Sequence, residues 1–156
     1  MNGRNRRMWC TVLHGSGVNK YFTTSQHIEY LLRQIKAAKL LVPEKFKAAD
    51  PKDLRRCYNG IGPDRWSCRF REKATKDLEW LEPDALVHDW EYTYLPKTFW
   101  HFTVANVRFL YNGIKYAIFC SGFKRRAFRR IRLVFVFTML CQFFGWNGFK
   151  KAKDYK

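Results

Sequence analysis

The chain has 156 residues, 47% hydrophobic and 18% aromatic, which is enough apolar material for one domain with a real core and excludes a disordered polar chain. Thirty Lys and Arg against thirteen Asp and Glu leave a formal charge of +17. Such a field gathers polyanions, whether nucleic acid, anionic lipid or an acidic protein, without choosing among them. The five cysteines (Cys10, Cys57, Cys68, Cys120, Cys141) form no C-x-x-C pair, which argues against a zinc ribbon. They read as mostly reduced thiols in a cytoplasmic compartment, with a single Cys57–Cys68 bridge left open.

In chain order, residues 1–7 are basic, and Met1 to Trp9 hold no apolar run of signal-peptide length. Met8 to His14 suits a short strand and Gly15-Ser16-Gly17 a turn. Thr24 or Ser25 then caps a helix over 25–41, with Ile28, Leu31, Leu32 and Ile35 at helical spacing. This amphipathic helix suits packing on its own core; binding a partner is the other use. Asp50 or Asp53 can begin a short helical turn. Trp66 to Trp80 has no clear period and reads as an irregular segment or small hairpin. Pro83-Asp84 fits a helix start, and that helix runs to about Leu95, where Pro96 breaks it. Thr98 caps a longer helix over 99–119, with Phe99, Phe102, Asn106, Phe109, Gly113 and Ala117 along one stripe. The tight Pro-containing link predicts that these two helices are antiparallel and packed together.

The C-terminal segment joins six basic residues in nine, Lys124 to Arg132, to a fourteen-residue apolar run, Leu133 to Trp146. Thr138, Gln142 and Gly145 interrupt that run, and a membrane span needs ~20 residues. Three uses are open to it: an interfacial helix on anionic lipid, a core helix with a solvated basic approach, or contact with nucleic-acid phosphates. No nucleic-acid-binding signature accompanies the last, which ranks it below the others. The expected organisation is a single domain over 1–156, with a core at 50–120 and a basic, apolar extension at 121–156.

Chemistry concentrates between Cys57 and Asn112. Gly60 and Gly62 flank Ile61, and glycines permit backbone angles closed to other residues. The Tyr58, Gly60 and Gly62 carbonyls can converge on a hard cation such as calcium; an ordinary G-x-G-P turn is the plainer alternative. His88 and Asp89 are sequence neighbours, so on a helix they point about 100° apart and do different jobs. Asp89 can complete a metal's oxygen shell, and His88 can act as general base on a water. The base needs an orienting acceptor on its other ring nitrogen, and Asn106 on the facing helix is the candidate, expected to meet Nδ1. Trp90 and Tyr92 pack around them. A structural His-Asp pair with no catalytic role is the alternative.

The ordered parts are Asn59-Gly60-Ile61-Gly62-Pro63, Pro83-Asp84, His88-Asp89-Trp90-Glu91-Tyr92 and Ala105-Asn106-Val107-Arg108-Phe109-Leu110-Tyr111-Asn112. From Asn59 to Asn112 they span about a third of the chain. This order resembles the phospholipase A2 superfamily, in particular short phospholipase-like proteins of phage and prophage. The resemblance implies a core of two antiparallel helices with a calcium-type loop; with the N-terminal helix and the C-terminal basic and apolar helix, which lie outside it, the expected fold is mainly α. It implies that the Tyr58, Gly60 and Gly62 carbonyls and the Asp89 carboxylate bind calcium. It implies that His88 deprotonates water, that the Gly60 amide helps hold the oxyanion, and that a glycerophospholipid sn-2 ester is hydrolysed. Two departures stand out. Asn106 replaces the family's second Asp, keeping an acceptor but losing the charge that stabilises an imidazolium. The segment between loop and pair is shorter, and Ile61 replaces a Cys. The alternative is an inactive scaffold that serves as a phage structural protein or binds an anionic surface. The expected partners are anionic membrane or phospholipid, and virion proteins. The expected setting is cytoplasmic or virion-associated, with peripheral membrane contact.

Overall fold

A computed structural model describes residues 25–58 and 78–152. Among them the chain is mainly helical, without strands. Three helices come first: α1 (Ser25–Ala37), α2 (Glu44–Lys47) and α3 (Pro51–Cys57). After a 3₁₀ turn at Glu79–Leu81 follow α4 (Glu82–Tyr94), α5 (Phe99–Ser121), α6 (Arg125–Phe144) and α7 (Trp146–Lys151). The expected strand at Met8–His14, the turn at Gly15–Gly17 and most of the Trp66–Trp80 segment lie outside the described residues. Trp80 itself belongs to the 3₁₀ turn.

Local chemistry sets the boundaries. Asp50 caps α3, its carboxylate accepting the Lys52 N–H at 2.7 Å, with Pro51 in the first turn where no N–H is needed. α1 stops short of the expected residue 41 because Lys39 takes a left-handed φ of 51° and the Leu40 N–H turns back to the Ile35 carbonyl. Leu95 is extended, as a residue before proline prefers, and this ends α4. Thr98 then caps α5 through Oγ1, which accepts the His101 N–H at 3.3 Å. Gly122, at φ 58°, ends α5 where another residue would be strained.

Helices α4, α5 and α6 run antiparallel in succession. Tyr92 meets Phe102 while His88 meets Phe109, so rising numbers on α5 track falling numbers on α4. On α6, Gln142 bonds Asn106 and Arg130 bonds Ser121, the same reversal. The core between them holds Ile28, Leu31 and Ile35 from α1, Leu54 from α3, Leu86 and Trp90 from α4, Phe109 and Tyr116 from α5, and Val134 from α6. Asn112 ties the link after α1 to this frame. Its side chain accepts the Leu41 N–H at 2.8 Å and donates to the Leu41 carbonyl at 2.9 Å, as a neighbouring strand would.

The stripe expected on α5 is buried at Phe102, Asn106, Phe109, Gly113 and Ala117, but Phe99 is 64% exposed. It sits in the first turn, past the end of the α4 face, where its ring meets Phe102 and Trp146 from the side. The basic run and the apolar run form one helix, α6. Its buried residues are Ala127, Val134 and Thr138 rather than its phenylalanines. Gly113 explains the choice. A Cβ there would lie 2.6 Å from Val134 Cγ1, so α5 and α6 approach too closely for an aromatic ring between them.

Candidate functional site

The α4–α5 interface carries His88, Asp84 and Glu91 from one side and Asn106 and Asn112 from the other, all buried. His88 is 7% exposed, with its ring 4.8 Å from that of Phe109 and 4.1 Å from that of Tyr92. Its Nε2 lies 3.0 Å from Asn106 Oδ1. The Tyr92 hydroxyl donates to the same oxygen at 2.9 Å. Asn106 Nδ2 in turn donates to Gln142 Oε1 on α6 at 2.8 Å. These bonds fix the protons. An oxygen that faces two donors requires N–H on Nε2, which leaves the lone pair on Nδ1.

The pairing of His88 with Asn106 is therefore present, but through Nε2 rather than the Nδ1 expected from the sequence. On a helix Nδ1 stays near its own backbone, and Nε2 is the nitrogen that reaches the next helix. Burial pushes the His88 pKa down to about 4, against a smaller upward pull from Asn106. The imidazole is thus neutral at physiological pH, the protonation state a base needs. An uncharged Asn106 does little to stabilise the imidazolium that proton abstraction would create.

Asp89, half-buried, leaves the helix in another direction, as neighbours on a helix must. Its charge reaches Cys57, Tyr58 and Cys141. Burial and then this carboxylate raise both thiols, Cys141 to about 12, so neither is a thiolate nucleophile. Cys57 is a free thiol in this structure. Tyr58 ends α3 with extended backbone, and its buried phenol is pushed well above the ordinary range by burial, then by Glu82 and Asp89. Glu82 also pairs with His27 Nε2 at 3.2 Å, which anchors α1 beside α4. The structure therefore brings Asp89 near Tyr58. Gly60 and Gly62, and with them the Gly60 amide, lie outside the described residues.

Calcium takes hard oxygens, and Asp89 offers a carboxylate close to the residue that opens the glycine loop. Among the described residues no group of three or more His, Cys, Asp or Glu is placed to hold a metal. A site with one carboxylate and main-chain carbonyls contains no such group, so the two observations are compatible.

Three features escape motif reading. Gln142 orients Asn106, and its only sequence signal is a polar residue interrupting an apolar run. Arg108 donates to Glu91, which is 1% exposed, and so supplies the cation that a buried carboxylate requires. Asp84 is fully buried, and burial pushes its pKa well above the ordinary carboxyl range, with a smaller opposing pull from Asn112. Its carboxyl therefore keeps its proton above the pH at which an exposed aspartate loses it. No protein-family model matches the chain, nor does any curated protein or solved structure.

Proposed function

We propose that the chain is a phospholipase A2-like, calcium-dependent hydrolase of glycerophospholipid esters, phage-encoded and built with a weak base. The observation that carries this reading is the chain of bonds from His88 Nε2 through Asn106 Oδ1 to the Tyr92 hydroxyl. It holds the imidazole in one tautomer with Nδ1 as the proton acceptor. In this reading Nδ1 of His88 takes a proton from water as the water oxygen attacks the sn-2 ester carbonyl, and the imidazolium returns that proton to the departing glycerol oxygen when the ester C–O bond breaks. The Tyr58, Gly60 and Gly62 carbonyls and the Asp89 carboxylate would hold calcium, and the Gly60 amide would donate to the developing oxyanion. Calcium, when bound, supplies Lewis-acid polarisation of the ester carbonyl. The calcium-type loop and the two-helix phospholipase core are part of the proposal, and the mainly helical fold with antiparallel α4 and α5 supports them.

Turnover is slow in this reading, because a base with a pKa of about 4 accepts a proton poorly at neutral pH. Calcium-dependent release of fatty acid from phospholipid vesicles is the direct measurement, with His88→Gln expected to remove at least about 10³ of the rate. Equal release by parent and variant overturns the reading. The burial of His88 against Phe109 and Tyr92 favours a second one: a non-catalytic scaffold, such as a virion structural protein, that binds an anionic surface. Calcium binding without hydrolysis, abolished by Asp89→Ala, would select that form of the same fold.

A further inference from the structure

The outward face of α6 reverses the usual arrangement of a solvated helix. Phe128 and Phe143 are 62% and 73% exposed, and Phe135, Val136, Met139 and Leu140 are exposed with them. At 100° per residue, Phe128, Arg132, Phe135, Met139 and Phe143 fall along one side of the helix. Arg125 and Arg129 flank the early part of that stripe. Arg125, Arg129 and Arg132 with Phe128, Leu133 and Val136 line a shallow open depression of about 430 Å³. The helix is thus basic at its start and apolar at its end, on the same face.

We infer that this face is the surface by which the protein docks on an anionic lipid bilayer. Arg125, Arg129 and Arg132 meet lipid phosphates, and Phe135, Met139 and Phe143 enter the boundary between headgroups and acyl chains. The inference gives a location and a partner to the anionic-surface reading above, and it does not depend on hydrolysis. Charge complementarity selects the occupant. The sequence holds no Asp or Glu from Tyr92 through Lys153, so this whole stretch of the chain offers only positive charge to a partner. Clustered arginines beside apolar side chains match a layer of phosphates above hydrocarbon. A second copy of α6 would set arginine against arginine, or arginine against phenylalanine. A nucleic-acid backbone would engage the arginines and leave the aliphatic end of the face in water. No helix among the described residues is long and apolar enough to cross a bilayer, so the contact is a surface one. Arg125 and Phe143 lie about 27 Å apart along the axis, so arginines at one end and apolar groups at the other tilt the helix, its C-terminal end deeper.

Vesicle flotation with chelator present separates docking from hydrolysis. Vesicles of phosphatidylcholine with about 30 mol% phosphatidylglycerol should carry the full chain, and pure phosphatidylcholine should carry far less. Replacing Arg125, Arg129 and Arg132 with Gln should weaken binding roughly a hundred-fold, at about tenfold or less per arginine. Met139→Asp with Phe143→Asp should weaken it at least about tenfold while the thermal midpoint stays unchanged, since both side chains already face water. The inference is overturned if parent and variants float alike, if the parent ignores anionic vesicles, or if the same variants instead abolish a dimer in solution or binding to DNA. Failure of fatty-acid release with docking intact would count against the hydrolase alone.

Discussion

The α4–α5 interface and the outward face of α6 are opposites. The first buries Asp84, His88, Glu91, Asn106 and Asn112 between two helices, and the second holds Phe128, Phe135, Met139 and Phe143 in solvent. Both run against the ordinary sorting of polar and apolar groups. A stable core needs neither. Burying an imidazole, an ion pair and a carboxyl between two helices costs stability unless each is satisfied, and apolar rings in water gain nothing until something covers them. The difference teaches where to look for each kind of function: chemistry where polar groups are inside, and association where apolar groups are outside.

The largest effect that would sharpen this contrast lies at Asn106. Asn106→Asp places a carboxylate beside His88 Nε2 and favours the imidazolium, so the His88 pKa should rise from about 4. If the site hydrolyses esters, the rate should climb by about 10²–10⁴. A histidine titration by NMR checks the first effect, and fatty-acid release checks the second. An unchanged titration would show that Asn106 does not control His88.

Next in size is the buried ion pair. Arg108→Ala leaves Glu91 charged and enclosed, and should destabilise the fold by about 3–5 kcal/mol in a urea titration. A loss below ~1 kcal/mol, the value of a surface pair, would show that Glu91 has another means of relief.

The pH dependence of stability follows, and here two buried groups oppose each other. His88 has a folded pKa below its unfolded value of 6.5, so its contribution is whole above pH 6.5 and is lost as pH falls toward 4. Asp84 has a folded pKa well above its unfolded value of 3.8, so its contribution is whole below pH 3.8 and is lost as pH rises. Between pH 4 and 6.5 the two partly cancel. Removing one reveals the other: Asp84→Asn should gain about 3 kcal/mol of stability between pH 4 and 6.5, the value of His88's shift. A flat profile for that variant would mean that His88 titrates normally.

The smallest effect tests the outer face. Phe143→Ala should change stability by less than ~0.5 kcal/mol, whereas Phe149→Ala, at a fully buried ring packed on Tyr92 and Phe102, should cost about 3–5 kcal/mol. Comparable losses from both would place Phe143 in the core.

Sequence reading located what local rules govern. Pro83, Pro96 and Thr98 bracket α4 and α5 because proline geometry and side-chain capping act within a few residues, and the buried positions of α5 follow its period. The pairing of His88 with Asn106 was legible for the same reason: a short link forces the two helices antiparallel. The inward face of α6 was not legible. Hydrophobicity alone would bury Phe128, Phe135 and Phe143, yet Gly113 on another helix admits Val134 and excludes rings. Gln142 and Arg108 were missed because each acts on a residue many positions away, and no local pattern marks such a partner.

That distant partner gives Asn106 a directional character. A carboxylate has two equivalent oxygens and presents an acceptor whichever way it turns. A carboxamide has a head and a tail. Gln142 Oε1 accepts from Nδ2 and thereby points Oδ1 at His88. With Gln142 withdrawn and the Tyr92 hydroxyl turned to accept, a half-turn of the amide would offer N–H to the imidazole and move its proton to the other nitrogen. The tautomer of a histidine on α4 is thus set jointly by Tyr92 on the same helix and by Gln142 on α6, the helix whose far side faces outward, and the site has a polarity that an aspartate in the same place would erase.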